Sequence, residues 1–152
     1  MATILAKNDV FAKQEALNLL TELQAAHTTL LQAMSDLDVL SKGPLPTKER
    51  IIHARWNISR ASLARRTVWS EVYVFLSIRP PKDTLSDLRQ LHASDTALLR
   101  SSSNHVFSWK IEAVMHDWPG YCAASEAIRW KMKAAIGAEM RLLYPILRAE
   151  RD

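Results

Sequence analysis

The sequence predicts an all-α fold: an antiparallel up-down-up-down four-helix bundle made of two duplicated helix hairpins. Three observations lead there. Glycine occurs only at Gly43, Gly120 and Gly137 in 152 residues, too few for the hairpin turns of a many-stranded protein or for a phosphate-cradling loop. Long stretches dominated by Leu, Ala, Arg and Ser contain neither proline nor glycine. Within them, apolar residues recur at the three- and four-residue steps of a helix face.

The first helix is expected from about Asp9 to Leu40. Its face is set by Leu20, Leu23, His27, Leu30, Met34 and Leu37, and it ends before the breaker Ser41-Lys42-Gly43-Pro44-Leu45-Pro46. The second begins after Thr47, an N-cap with Glu49 in the first turn, and runs to about Leu76 before Pro80-Pro81. Its apolar spacing gives two parallel stripes, side by side, with the candidate interior residues Arg66 and Ser70 on the first. Ile52, Trp56, Ser59, Leu63, Arg66, Ser70 and Tyr73 form one; Ile51, Ile58, Val68, Val72 and Phe75 form the other. The third helix starts near Asp83 or Thr84 and runs to about Ser101, with a weaker continuation through Val114. Ser101-Ser102-Ser103-Asn104 is a poor helix interior where a kink or break is expected. The fourth opens at Asp117-Trp118-Pro119, with proline suited to a first turn, and continues to about Arg148. Helices of about 30 residues are about 45 Å long, and short connections make neighbours antiparallel.

Composition bounds the function. At 48% hydrophobic residues, a chain of this length can bury a core as one domain, 1–152. The single cysteine, Cys122, permits no internal disulfide, and no zinc-finger spacing of Cys and His occurs. No nucleophile-elbow signal suggests a Ser-His-Asp site. The N-terminus mixes Lys7, Asp9 and Lys13 among apolar residues, unlike a signal peptide, and no apolar run approaches the roughly 20 residues of a membrane span. A cytoplasmic protein without membrane partners is expected. Residues 42–82 carry nine basic and two acidic side chains, a net +7, between mildly acidic neighbours. Arg55 and Arg66 fall on or beside an apolar stripe, which interrupts a basic surface for nucleic acid, so compensation between packed helices is the preferred reading. The five tryptophans are expected to fill gaps between helices, and Cys122 to behave as a small apolar residue. His105 and Trp109, four apart, could meet on one helix face.

The two halves of the chain align. Leu23 to Gln32 matches Leu91 to Arg100 at an offset of 68, and Glu71 to Leu76 falls on Met140 to Pro145 at an offset of 69. Hairpins of about 13–79 and 81–149 then repeat. Under these offsets His27 is equivalent to Asp95, and Arg66 and Ser70 to Ala135 and Glu139. Polar residues at such places are where a bundle builds an interior site.

These motifs resemble the hemerythrin-like (HHE cation-binding) family. Glu139-Met140-Arg141-Leu142-Leu143-Tyr144-Pro145 is similar to the end of that family's second hairpin helix, and Leu20 to Leu31, around His27, to its first-helix histidine motif. Trp109 and Asp117-Trp118-Pro119-Gly120-Tyr121 resemble a Trp…Asp-Trp pattern of some bacterial members. The resemblance implies a four-helix bundle holding two irons on several histidines and bridging carboxylates, in some members for oxygen carriage or sensing. It also implies that this chain has lost most ligands. His27 and Glu139 stand at ligand-like positions, but Asp95 replaces a first-helix histidine. Arg66 and Ser70 replace a His-x-x-x-Glu pair, and Ala135 another histidine. A guanidinium stays charged in a protein and cannot ligate, so Arg66 is expected to take the place of a cation between Asp95 and Glu139, with His27 at the edge of the network. The expected interior polar site is therefore His27, Arg66, Ser70, Asp95 and Glu139. It has no catalytic residue and no cofactor, and its role is small-ligand binding, regulation or a stress-related accessory function. The alternative retains iron on His27, Asp95 and Glu139 for metal, oxygen or redox sensing.

Overall fold

The computed structural model describes residues 2–78, 80–81 and 83–149. It is all-helical: α1 (Ala2–Ser41), α2 (Lys48–Ile78), α3 (Leu85–Ser108), α4 (Ile111–His116) and α5 (Trp118–Ala149). Among the described residues there is no strand, and no helix is long and apolar enough to cross a membrane. The long helices touch in a ring: α1 packs on α2 and α5, and α3 packs on α5 and, over a shorter stretch, on α2. That arrangement is compatible with a four-helix bundle.

Local chemistry explains the boundaries. α1 starts well before Asp9, and its first turns, Thr3 to Phe11, are exposed wherever their side chains are described. Thr47 Oγ1 accepts the Arg50 N–H at 3.3 Å, so Thr47 caps α2 as the sequence suggests. Asp83 takes a left-handed φ of 62°, which Asp tolerates better than most residues, and α3 follows two residues later. At the start of α5, Asp117 Oδ1 accepts the Gly120 N–H at 3.0 Å. A side chain on Gly120 would collide with that same carboxylate.

Helix α3 continues unbroken through Ser101-Ser102-Ser103-Asn104, where an interruption was expected. The break falls instead at Trp109 and Lys110, where Trp109 has ψ 67° and Lys110 is extended at ψ 159°. The interrupted turn is tied down by side chains: His105 and Trp109 both pack on Tyr121, with centroids 5.7 and 5.8 Å away.

Burial decides between the two stripes of α2. Ile51, Ala54, Ala61, Ser62, Arg65, Trp69, Val72 and Leu76 are buried. In the first stripe Ile52, Trp56 and Leu63 are 47%, 61% and 57% exposed. Ala61 packs in one cluster with Leu30, Ala33 and Met34 of α1. The α1 face is the expected one: Leu20, Leu23, His27, Leu30, Met34 and Leu37 are all buried. The tryptophans divide. Trp69 and Trp118 fill the core, whereas Trp56 and Trp130 are 61% and 69% exposed, so not all of them plug gaps between helices.

The same comparison corrects the second alignment. Shifting α2 by 67 residues places seven of its eight buried positions on buried positions of α5, among them Ile51 on Trp118 and Val72 on Glu139. A shift of 69 places none of them so. Two residues correspond to about 200° around a helix of 3.6 residues per turn. The 69-residue alignment therefore joined the inner face of α5 to the outer face of α2.

Candidate functional site

Five buried or nearly buried polar side chains meet in the middle of the helices, and an arginine pairs with two of them. It is Arg65, one residue from the expected position. Arg65 is 4% exposed and sits on the inner stripe of α2 between Ser62 and Trp69. Its Nη2 donates to Glu139 Oε1 at 2.5 Å and to Asp95 Oδ1 at 2.6 Å, and its Nε donates to Glu139 Oε2 at 3.3 Å. Glu139 comes from α5 and is 1% exposed; Asp95 comes from α3 and keeps 16%. His27 of α1 completes the set, with Nε2 2.5 Å from Glu139 Oε2 and Nδ1 2.6 Å from the Tyr144 hydroxyl. The neutral tautomer protonated on Nε2 satisfies both contacts: it donates to the carboxylate and accepts the tyrosine O–H.

The structure thus brings His27, Asp95 and Glu139 together and leaves two expected members outside. Arg66 is half-buried and faces the gap between α2 and α3, while Ser70 is exposed on α2. One residue on a helix is a 100° turn, enough to exchange Arg65 for Arg66. Tyr144, in the sequence only part of a helix-end motif, brings its hydroxyl to His27 Nδ1 and so joins the network.

Electrostatics follow from this packing. Burial works against the charge of Arg65, but Glu139 and Asp95 more than offset it, so the guanidinium holds its proton more tightly than a free arginine. Tyr144 is pushed up by burial and then by the Glu139 charge beside it. The Arg65 guanidinium cannot ligate a metal, and its positive charge lies within hydrogen-bond distance of both carboxylates that would have to do so. Among the described residues, no group of three or more His, Cys, Asp or Glu side chains is placed to hold an ion. The di-iron centre implied by the family resemblance therefore does not fit these residues, and neither does a three-ligand site on His27, Asp95 and Glu139.

A second buried arginine was not foreseen. Arg129 on α5 is 3% exposed. Its Nε donates to Asp38 Oδ1 at 3.0 Å, and its Nη1 donates to Ser125 Oγ. Lys133 Nζ adds a 3.2 Å contact to Asp38 Oδ2. Burial raises the Asp38 carboxyl, but the hydrogen bonds and charges of Lys133 and Arg129 outweigh it and hold the group below its ordinary value. The sequence carries a signal for this pair: Tyr121, Ser125, Arg129, Met132 and Ile136 form one helical stripe with two polar residues inside it.

Beside this second arginine, α2, α3 and α5 enclose a cavity of about 410 Å³. Arg55, Arg66, His105 and Tyr121 stand in its wall, and none of the five tryptophans does. Cys122 is half-buried and outside it; burial pushes its thiol up despite a hydrogen bond with Ser41. No known protein family, curated protein or solved structure matches this chain.

Proposed function

We propose that this chain is a single-domain, cytoplasmic, non-enzymatic small-ligand-binding protein. In this reading it is a hemerythrin-like four-helix bundle of up-down-up-down topology and duplicated hairpins, in which an arginine lock stands where relatives would hold two irons. The observation that carries the reading is the Arg65 guanidinium, 2.5 Å from Glu139 and 2.6 Å from Asp95. A permanent cation at that place pairs with both carboxylates, and the imidazole of His27 is fixed by Glu139 and Tyr144. What remains is a buried centre, tied together by hydrogen bonds, without an open coordination position. The cavity lined by α2, α3 and α5 then supplies the place for a ligand.

The test is metal content after expression in iron-supplemented medium, read beside the near-ultraviolet absorption of ferric oxo-carboxylate centres. The reading requires no stoichiometric iron and no such band. Stoichiometric iron that is lost in a His27→Ala variant would replace it with the iron-sensing alternative.

A further inference from the structure

We propose that the cavity between α2, α3 and α5 binds a small organic carboxylate, an anionic head on an apolar ring or chain of about a dozen heavy atoms. The inference rests on the ligand-binding reading above and names the ligand's chemical class. Size comes first. A volume of about 410 Å³, at roughly 30 Å³ for each water-sized group, holds a molecule of that order and lies within the usual range of ligand pockets.

Charge selects the head group. Arg55, Arg66 and Arg129 line the cavity and no acidic side chain does. Arg129 is already answered by Asp38. Arg55 and Arg66 have no carboxylate within ion-pair distance among the described residues. Arg55 lies over the Tyr121 ring at 5.6 Å. Arg66 feels the attraction of Asp95 only at longer range, and Arg65 repels it. Two half-buried guanidinium groups facing one cavity favour an anion, and a planar fork suits a carboxylate.

An independent observation comes from Ser62. It is 7% exposed and lines the same cavity, and its Oγ has no hydrogen-bond partner. Buried hydroxyls are ordinarily satisfied, so a ligand oxygen is the missing partner. Ile58, Ile128, Met132, Val106 and Phe107 supply the apolar part of the wall. Phe107 is 75% exposed and Val106 52%, a rim that an apolar ligand body would partly cover.

The experiment is calorimetric titration of the full chain with 2-naphthoate, decanoate, the neutral isostere 2-naphthol and inorganic phosphate. At least one carboxylate should bind, more tightly than 2-naphthol or phosphate; the ring and chain arms report which body the wall prefers. Arg66→Gln should weaken that binding about ten- to a hundredfold, the loss expected for one charge-assisted hydrogen bond. Because Arg66 has no close partner to lose, the same variant should leave the melting temperature of the free protein unchanged or raised. Ser102→Trp, which fills the cavity, should abolish binding. Equal binding of 2-naphthol and 2-naphthoate, or carboxylate binding indifferent to Arg66→Gln, overturns the proposal while leaving ligand binding intact. Binding of phosphate alone overturns the apolar part. Failure of all four compounds overturns this proposal, whereas the metal-content test of the arginine lock stands apart from it.

Discussion

Replacing Arg65 by alanine removes the cation from a place where two carboxylates depend on it unequally. Glu139 is 1% exposed and loses contacts at 2.5 and 3.3 Å, keeping only His27. Asp95 retains 16% exposure and the longer-range charge of Arg66, so it can recover water. The cost therefore falls mainly on Glu139, and breaking one buried pair is worth about 3–5 kcal/mol. For a domain of this size that is a fall of about 6–20 °C in melting temperature. Urea unfolding followed by circular dichroism measures it, with unchanged slope as evidence that the folded state is otherwise kept. A double replacement, Arg65→Met with Glu139→Gln, exchanges the charges for neutral groups of similar shape. It should cost less than the sum of its single variants by about 1–3 kcal/mol. An Arg65→Ala protein within about 0.5 kcal/mol of the parent, the range of ordinary surface changes, would refute a buried lock.

Three further outcomes are expected. Tyr144→Phe removes the hydroxyl 2.6 Å from His27 Nδ1 and should destabilise by about 1–3 kcal/mol in urea unfolding, the cost of an unanswered buried acceptor. Asp38 titrates lower in the fold than when unfolded, so its stabilising effect is complete above the unfolded value, about 3.9, and fades as pH falls through the folded one. The stability gap between parent and Asp38→Asn should accordingly shrink on acidification below about pH 4, whereas a constant gap would deny the ion pair with Arg129. Cys122, half-buried and with its thiol pushed up by burial, should react with iodoacetamide more slowly than an unfolded control at pH 8, because only the thiolate attacks.

Much of the fold is legible in the residues because its signals are redundant. The α1 face from Leu20 to Leu37 has one apolar stripe and one answer. Thr47 and Asp117 mark helix starts with side chains that accept backbone N–H groups. On α2 the signal is ambiguous, since Ile52, Trp56 and Leu63 are as hydrophobic as Ile51, Ile58 and Val72. Hydrophobicity alone cannot tell a face that packs from one that faces water. A face turned by one residue exchanges Arg66 for Arg65, and it is Arg65 that pairs with Asp95 and Glu139. The break at Trp109 was missed because it comes from aromatic packing on Tyr121, a contact between distant segments. Serine propensity suggested an earlier break, and tertiary packing overrode it. The Arg129–Asp38 pair spans 91 residues and could be sensed from sequence only as two polar residues on an apolar stripe.

The guanidinium itself offers the most direct test. In proton–nitrogen correlation spectra of arginine-labelled protein, assigned by loss in Arg65→Lys, the Arg65 Nε–H and Nη–H signals should be resolved and slow to exchange. Adding ferrous iron or a chelator should leave them in place. Signals averaged with solvent, or displaced by iron together with those of the His27 ring, would contradict a buried Arg65 locked between Asp95 and Glu139.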